Sequence, residues 1–472
     1  MTETFDLSAL KQSLDAAPDH KNLKPLGLQT IYLGRDALTV LPDVVAAMVD
    51  ATPALGPVAV LSDSTPKRYH AGDLLSFVTG CIDARHRVRN VTVGVAGHTV
   101  HADEETLAKA IRDCDGAACL VAVGSGTVSD IGKAVAAAQG IGYIIVQTAN
   151  SVNGYADDRS VLLINGVKRT IPTRWADVLI VDTDVLVKAP VEMNVSGFAD
   201  LIATFTAPAD WYLATLLGMD DSYSPTVVGL ARNQGSALLE AAPLVPQADP
   251  NALEQVAKTL TLSGISMGIA GTTAPCSGME HAVSHLLEMA TTKAGNETAL
   301  HGAQVGVTTI VAALLWQRVL GEIADGGLSR VRVPGPAESQ AAVLAAFHTV
   351  DPSGAMGAEC WRDYERKLAR WAHASERIEL AKRDWPTHEG TLRHLLATPQ
   401  SLVAALQSAG APLRFADLEP SVNEADARWA VANCHLMRER FSIADMANFL
   451  GIWDDDLVDE LIADAAALGS SR

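Results

Sequence analysis

The sequence predicts an α/β domain built on a parallel sheet, followed by an all-helical C-terminal domain. From about Pro57, short apolar runs that end in Asp or Gly alternate with helical patterns, as they do in parallel βαβ units. After about Val191 the strand-like runs stop, and long Ala- and Leu-rich stretches with helical spacing replace them. We therefore expect the α/β domain to span residues 1–190 and the helical domain to span residues 191–472.

The elements of the α/β domain follow from these runs in chain order. Asn165-Gly166 is typical of the tight turn of a β-hairpin. We predict helices over residues 71–84, 101–114 and 129–140, and strands over residues 58–63, 88–95, 119–124, 141–149 and 178–186.

The composition fits a large soluble protein: 48% of the 472 residues are hydrophobic and 19% are charged. The net charge of −19 argues against nucleic acid or an anionic membrane as a partner, because both require a basic face. It leaves room for a small phosphorylated substrate. There is no signal-peptide pattern, no apolar run long enough to span a membrane and no CxxC pair among the six cysteines. We expect a cytoplasmic protein with reduced thiols.

A glycine turn joins the predicted strand 119–124 to the following helix. Gly124-Ser125-Gly126-Thr127 would let the backbone approach a ligand closely, and the helix N-terminus would offer N–H groups to a pyrophosphate. The turn is not a GxGxxG fingerprint, and many such turns serve packing alone. Asp63 ends another strand, where it could accept hydrogen bonds from a ribose or simply cap a turn. The polar loop 147–160 should face the same edge of the sheet, because ligands gather at the carboxyl ends of parallel strands.

Three of the chain's 13 histidines, His281, His285 and His301, lie close together in the sequence. His281 and His285 would share a helix face, and His301 begins a second helix-like run. Neutral imidazole is a common ligand of zinc, nickel and iron, although unrelated core or surface histidines would show the same spacing. Cys276, five residues before His281, could be a soft ligand but is better explained as a small packing residue.

Several motifs occur together in an order that resembles the sn-glycerol-1-phosphate dehydrogenases, within the superfamily of iron-containing alcohol dehydrogenases, glycerol dehydrogenases and dehydroquinate synthases. The resemblance covers roughly residues 25–320. The motifs are GSGTVSDIGKAVA, TANSVNGY, NGVKRTIPTRWADVLIVDTDVL, GFADLIATFTAPADWYLATLLG, SGMEHAVSH and LHGAQVGV.

The resemblance implies a Rossmann-like dinucleotide-binding domain, a helical metal- and substrate-binding domain, and a divalent metal (zinc, nickel or iron) in the cleft between them. On the matching motifs the metal ligands would be Asp200, His281 and His301, and His285 would contact the substrate. One helical turn from His281, His285 could hydrogen-bond the substrate or relay its proton. One carboxylate and two imidazoles leave coordination positions open, as a Lewis-acid site requires. The cofactor would be NAD or NADP. The residues matching its binding positions are Asp63, Gly124, Ser125, Gly126, Thr127, Val128, Thr148, Ala149, Asn150 and Ser151, with Asp157 near the nicotinamide.

Three positions depart from the family pattern. Asn153 stands where the family has a substrate-contacting aspartate, and an amide cannot take a proton as a carboxylate does. Asp157 replaces a small hydroxyl residue and, with Asp158, would disfavour a phosphorylated substrate unless Arg159, Lys168 or Arg169 offset the two charges. Ala303 replaces a carboxylate that would orient a metal-bound histidine.

These observations favour a metal- and NAD(P)-dependent oxidoreductase of polyol or phospholipid metabolism. It would interconvert a small polyol or polyol phosphate and its ketone, first of all sn-glycerol 1-phosphate and dihydroxyacetone phosphate. The departures leave open a different polyol substrate, or a nucleotide-binding member without turnover. A lyase of the dehydroquinate synthase type would need a basic cluster near His281 and His301, and the sequence shows none there. We expect a homo-oligomer that acts on a small molecule.

Overall fold

The computed structural model describes residues 3–52, 55–95 and 97–470 of the chain. Its strands all precede Thr183 within these residues, as the alternating apolar runs predict. They are β1 Glu3–Thr4, β2 Thr30–Gly34, β3 Val58–Asp63, β4 Arg68–Tyr69, β5 Gly72–Asp73, β6 Val88–Val93, β7 Cys119–Gly124, β8 Gly142–Gln147, β9 Arg159–Ile164, β10 Val167–Pro172 and β11 Val178–Asp182.

Helices separate these strands and then form the remainder of the chain, with short 3-10 turns between some of them. They are α1 Leu7–Asp15, α2 Leu41–Asp50, α3 Leu74–Asp83, α4 Glu104–Asp113, α5 Gly126–Gln139, α6 Thr183–Leu186, α7 Val191–Leu201, α8 Ala207–Leu216, α9 Pro225–Arg232, α10 Gly235–Ala241, α11 Pro250–Ala270, α12 Met279–Lys293, α13 His301–Ala324, α14 Pro336–His348, α15 Ala355–Trp371, α16 Ser375–Arg383, α17 Trp385–Leu395, α18 Pro399–Ser408, α19 Glu424–Asn433, α20 Ile443–Leu450 and α21 Asp455–Ser470.

The main sheet of the described chain has the strand order β1-β2-β11-β8-β7-β3-β6. Every pair of adjacent strands in this order is parallel except the first, because the short β1 pairs antiparallel with β2. Because parallel strands point the same way, β3, β7 and β8 end at one edge of the sheet, at Asp63, Gly124 and Gln147. The expected parallel sheet followed by helices is confirmed.

The central strands are buried, as near-continuous apolar runs predict. All six residues of β7 are buried, and its side chains on one face join a core with α2 and α3. Leu41 and Val45 of α2 and Leu74 and Val78 of α3 supply that core's helical side. The packed sheet therefore holds the ends of its strands in fixed positions.

Two local predictions have different outcomes. Asn165 and Gly166 have φ values of 51° and 77°, as the central residues of a type I′ turn require, so the predicted hairpin between β9 and β10 is present. The strand predicted over residues 178–186 is too long, because β11 ends at Asp182. The Asp182 carboxylate accepts the N–H of Asp184 at 2.9 Å, and this cap starts α6.

The chain forms two compact units, and their limits are not a single boundary at residue 190. We call Met1–Ile164, Lys168–Phe198 and Gly229–Gly271 the first unit, and Asn165–Val167, Ala199–Val228 and Thr272–Arg472 the second unit. The change from strands to helices does fall near residue 190, as expected. However, α11 packs against α6 and β2 and so belongs with the sheet.

In the part of the chain that the structure describes, α13 is the one helix long and apolar enough to cross a membrane by length and hydropathy. Of its most apolar 18-residue window, 67% is buried inside the protein. Burial of this extent is typical of a core helix that is apolar on all sides.

Candidate metal centre and nucleotide-binding loops

Asp200, His281 and His301 come together in the second unit, each from a different helix. Asp200 lies near the end of α7, His281 in the first turn of α12, and His301 is the first residue of α13. A ligand atom of each side chain lies within 4.8 Å of the other two. Asp200 and His281 are buried and His301 is half-buried. The structure thus brings together the three side chains that the resemblance implies as metal ligands.

His281 lies between two carboxylates. Its Nε2 is 3.2 Å from Oδ1 of Asp200, and its Nδ1 is 3.0 Å from Oε1 of Glu280. Burial opposes protonation of His281, but hydrogen bonds to Asp200 and Glu280 outweigh it and raise the imidazole pKa. Burial alone would raise the Glu280 pKa, but the hydrogen bond and the charge of His281 outweigh burial, so the Glu280 pKa is lowered. With its Nδ1–H donated to Glu280, the imidazole presents the Nε2 lone pair on the Asp200 side.

His301 has a similar support on its Nδ1 side. That nitrogen is 3.1 Å from Oε1 of Glu288 and 3.2 Å from the Ser284 hydroxyl. Glu288 follows His281 by seven residues on α12, so both lie on one helix face. The carboxylate beside His301 therefore comes from α12, although Ala303 occupies the position where the family pattern has one.

Sequence reasoning missed Glu280 and Glu288. The sequence did carry a signal, because Glu280 comes one residue before His281 and Glu288 seven residues after it on a predicted helix. Acidic residues at such spacing usually lie on a solvated face, whereas both of these are buried.

His285 is buried beside the other two imidazoles. Its ring centroid lies 5.4 Å from that of His301 and 6.2 Å from that of His281. It is absent from the group of three converging ligand atoms. Its position suits the substrate-contacting role that the resemblance implies, and that role remains a prediction.

The donor set fits a borderline divalent metal. Two imidazole nitrogens and one carboxylate oxygen suit zinc, nickel or iron, and three protein ligands leave open coordination positions. Asp200, Glu280 and Glu288 are all buried here, and a bound cation would offset their charge. His281 and His301 also each have a carboxylate neighbour, Glu280 and Glu288, of the kind that typically orients a metal-bound imidazole.

The glycine turn lies at the end of β7 in the first unit. Ser125 is the N-cap residue of α5, yet its side chain does not cap the helix, and Ser125, Gly126 and Thr127 are half-buried. A Cβ at Gly124 would collide with Val128, and one at Gly126 would collide with Val152. Both glycines therefore serve packing, while the first turn of α5 still offers its N–H groups to an anion.

The loop after β8 lies beside this turn, because the Thr148 N–H donates to the Gly124 carbonyl at 3.1 Å. Its central side chain, Asn150, is buried and donates to the Leu253 carbonyl at 2.9 Å. The Ser151 hydroxyl lies 2.9 Å from that of Tyr155. Ala149 is also buried. Thr148 to Ser151 thus form a fixed loop at the sheet edge where the nucleotide was predicted.

Asp157 lies in a buried ion pair. Its Oδ1 is 2.6 Å from Nζ of Lys133, which also donates to the Gly154 carbonyl at 2.7 Å and lies 3.1 Å from Asp130. Burial raises the Asp157 pKa to about 6, and Lys133 opposes this increase. The cation offsetting Asp157 is therefore a helix residue of α5. Sequence reasoning did not find it, because a lysine in an Ala-rich helix usually faces solvent.

The remaining predicted residues lie at or near the same sheet edge. The Asp63 carboxylate accepts the Thr65 N–H at 2.7 Å and pairs with Lys67 at 2.6 Å. Asn153 is half-buried in the loop between Ser151 and Asp157. The contacts of Asp63 with ribose, of Asn153 with substrate and of Asp157 with nicotinamide stay predictions.

Comparison with known proteins agrees with these features. Residues 34–190 match the family model described as iron-containing alcohol dehydrogenase. A protein from Bacillus licheniformis named glycerol-1-phosphate dehydrogenase (NAD(P)+) is 33% identical over 226 residues, 47% of this chain and 55% of that protein. A protein of the same name from Methanothermobacter thermautotrophicus is 32% identical over 242 residues, 50% of this chain and 67% of that protein. The chain belongs to the glycerol-1-phosphate dehydrogenase family.

Matches within the glycerol-1-phosphate dehydrogenase family are partial. This chain spans about half the length of several of these relatives, 55% of the Bacillus licheniformis protein and 49% of the one from Geobacillus thermodenitrificans. The similarity in fold covers more of the chain than the similarity in sequence does. A probable glycerol dehydrogenase from Sinorhizobium meliloti superposes with a TM-score of 0.56 at 16% identity, over 95% of this chain and 100% of that chain.

Proposed function

We propose that this chain is a metal- and NAD(P)-dependent oxidoreductase that interconverts a small polyol or polyol phosphate and its ketone. The observation that carries the proposal is the convergence of Asp200, His281 and His301 within 4.8 Å. Relatives named glycerol-1-phosphate dehydrogenase (NAD(P)+) make sn-glycerol 1-phosphate and dihydroxyacetone phosphate the first pair to test.

Asp200, His281 and His301 would hold the divalent metal. When bound, the ion supplies Lewis-acid stabilisation of negative charge on the substrate oxygen. Glu280 and Glu288 hold the two imidazoles through Nδ1, which fixes each ring and its tautomer. We assign His285 to the substrate, where its imidazole can accept the hydroxyl proton or return it. Asn153 cannot perform that transfer, because an amide has no titratable proton near neutral pH.

NAD or NADP would bind at the glycine turn of the first unit. The N–H groups at the start of α5 and the positive end of its helix dipole favour a pyrophosphate. Thr148 to Ser151 border that turn through the bond to Gly124, and Asp63 ends β3, the strand next to β7. The Asp157 charge would not by itself disfavour a phosphorylated substrate, because Lys133 pairs directly with that carboxylate.

We also propose a cytoplasmic location. Cys81, Cys114, Cys119, Cys276, Cys360 and Cys434 form no disulfide in the described chain, which suits a reducing compartment. The homo-oligomer remains a prediction that light scattering of the purified protein checks.

The test uses purified, metal-analysed protein mixed with NADH or NADPH and dihydroxyacetone phosphate, followed by the absorbance of the reduced nicotinamide. We expect about one tightly bound zinc, nickel or iron ion per chain and net oxidation of the nucleotide. His281→Ala should lose both. The matched control is His70→Ala, because His70, Asp36 and Asp184 form another group of three possible ligands, which is largely exposed. That control should keep metal and turnover.

Two results would contradict the proposal. One is purified protein that retains no divalent metal, and the other is His281→Ala with wild-type turnover. Stoichiometric metal without turnover on a panel of polyols and ketoses would favour the nucleotide-binding member without activity. Asn153 is the residue that motivates this second candidate, since Glu288 already supplies a carboxylate to His301.

A further inference from the structure

Asp210 of α8 is a buried carboxylate that accepts three N–H groups from three other helices of the second unit. Its Oδ2 accepts the backbone N–H of Met279 at 2.8 Å. Its Oδ1 accepts the Trp316 indole N–H at 3.1 Å and the Ile443 backbone N–H at 3.1 Å. Asp210 is 2% exposed, so these donors replace the water that its two oxygens would otherwise bind.

Two of these donors belong to the helices that carry the histidine ligands. Met279 is the first residue of α12, two positions before His281, and the N-cap residue Gly278 has no side chain to cap the helix. Asp210 therefore caps α12 from outside. Trp316 lies on α13, the helix that begins at His301. One carboxylate thus fixes the start of α12 against the middle of α13.

Charged groups surround this carboxylate on several sides. Glu280 is buried next to Met279, and the guanidinium of Arg438 donates to the Gly278 carbonyl at 2.6 Å. The Lys367–Asp445 ion pair, at 2.6 Å, lies near the start of α20. Burial and the nearby Glu280 raise the Asp210 pKa well above its usual value, and the Met279 and Ile443 N–H groups offset this only in part.

Other bonds between α12 and α13 lie close to the ligands. The Thr308 hydroxyl donates to the Glu280 carbonyl at 2.9 Å, and Ser284 lies beside both His301 and Gln304. These bonds would keep the two helices together without Asp210. Asp210 would therefore set the fine alignment of the ligands rather than their proximity.

We propose that Asp210 is a positioning residue for the metal centre: it fixes the register of α12 against α13 and so the direction in which His281 and His301 present their nitrogens. The inference rests on the proposed metal site. Asn at this position has one acceptor oxygen where the carboxylate has two. Its NH2 group would therefore point at one or more of the N–H donors, and two donors cannot form a hydrogen bond with each other. Asp210→Asn should therefore shift one helix relative to the other.

The test compares Asp210→Asn, Trp316→Phe and a control, Asp182→Asn, with wild-type protein loaded with Co(II). Asp182 is also buried and also accepts two backbone N–H groups, from Leu38 and Asp184, but it lies in the first unit. Chelator competition gives the Co(II) affinity, the visible absorption bands report ligand geometry, and urea unfolding gives stability.

We expect Asp210→Asn to weaken Co(II) binding about 10–100-fold and to shift the visible bands. Trp316→Phe loses only the donor on α13, so it should shift the visible bands in the same direction by a smaller amount. It replaces Asp210→Asn as the test variant if Asp210→Asn does not fold. Asp182→Asn should lose stability with unchanged affinity and bands.

Wild-type bands and affinity in folded Asp210→Asn, or in Trp316→Phe if that is the variant that folds, would overturn the inference while leaving the proposed function intact. The same band shift in Asp182→Asn would overturn it too, as general destabilisation. Wild-type protein that does not bind Co(II) would overturn both the inference and the metal site.

Discussion

Oε1 of Glu288 lies 3.1 Å from Nδ1 of His301, so a carboxylate on α12 supports the proposed metal ligand that begins α13. The family pattern has a carboxylate two residues after that histidine, where this chain has Ala303. The support for the imidazole has therefore not been lost from this chain. It comes from one face of the helix that also carries His281.

Glu288→Gln should weaken metal binding about 10–100-fold, because the neutral amide holds the imidazole less strongly and donates less electron density to it. Affinity is measured by competition with a chromophoric chelator. Glu297→Gln is the matched control, since Glu297 is exposed in the loop that precedes His301. Equal metal affinity in Glu288→Gln and wild type would show that Ser284 alone suffices for His301.

Metal removal should destabilise the fold. Asp200, Glu280 and Glu288 are buried, and a bound cation offsets their charge in the folded state only. Adding Zn(II) at about 100 times its dissociation constant should raise the unfolding free energy by about 2.7 kcal/mol. Urea unfolding of chelator-treated protein with and without Zn(II) measures this. His281→Ala should show no gain; a gain equal to that of wild type would place the ion elsewhere.

Gly126→Ala should weaken nucleotide binding without changing metal affinity. The added Cβ would collide with the Val152 side chain at the start of α5, so one of the two must shift, and a shift of the turn would displace the N–H groups that we expect to meet the pyrophosphate. We expect at least about a tenfold increase in the NADH dissociation constant, or about 1.4 kcal/mol, by fluorescence titration. Gly80→Ala is the control, because nothing lies within 4 Å of an added Cβ there. Unchanged NADH affinity in folded Gly126→Ala would exclude this turn.

Asp157 should make stability depend on pH. Its pKa is raised from 3.8 to about 6 by burial, so in that window the folded state holds a proton that the unfolded state has released. The stabilisation is therefore complete below about pH 4 and is lost as the pH rises through about 6. The unfolding free energy of wild type minus that of Asp157→Asn should fall by roughly 2 kcal/mol between pH 4 and pH 7.

Urea unfolding across that pH range measures the difference. Asp158→Asn, which changes the adjacent carboxylate and keeps the Lys133–Asp157 pair, should retain the wild-type slope. A difference that rises with pH would mean that Lys133 outweighs burial at Asp157.

The predictable parts of this protein are those fixed by local pattern. β3 and β7 were predicted to the residue, because a buried parallel strand needs an unbroken apolar run. The spacing of His281 and His285 indicated a site but did not distinguish ligand from neighbour. Asp200, on another helix 81 residues before His281, came from the resemblance alone.

The rest depended on tertiary packing. Lys133 is 24 residues from Asp157 in the sequence, and nothing local indicates that an α5 lysine points inward. Asp210 resembles any polar residue of an Ala-rich helix until its three donors are seen. The boundary at residue 190 follows the change in secondary structure, whereas α11 joins the first unit through its packing, which periodicity does not report.

On the proposed ligand set, the order of the three side chains along the sequence also constrains when a newly made chain can acquire a metal ion. Asp200, His281 and His301 reach the ribosome exit in that order, and the last of them starts a 24-residue helix that is largely buried. Until α13 begins to be synthesised, the chain has only two of the three proposed donors, Asp200 and His281, and until α13 docks, His301 is not held beside them. On the proposed ligand set, metal capture therefore has to follow the docking of α13 against α12, and truncation within α13 should yield apo protein whatever the metal supply.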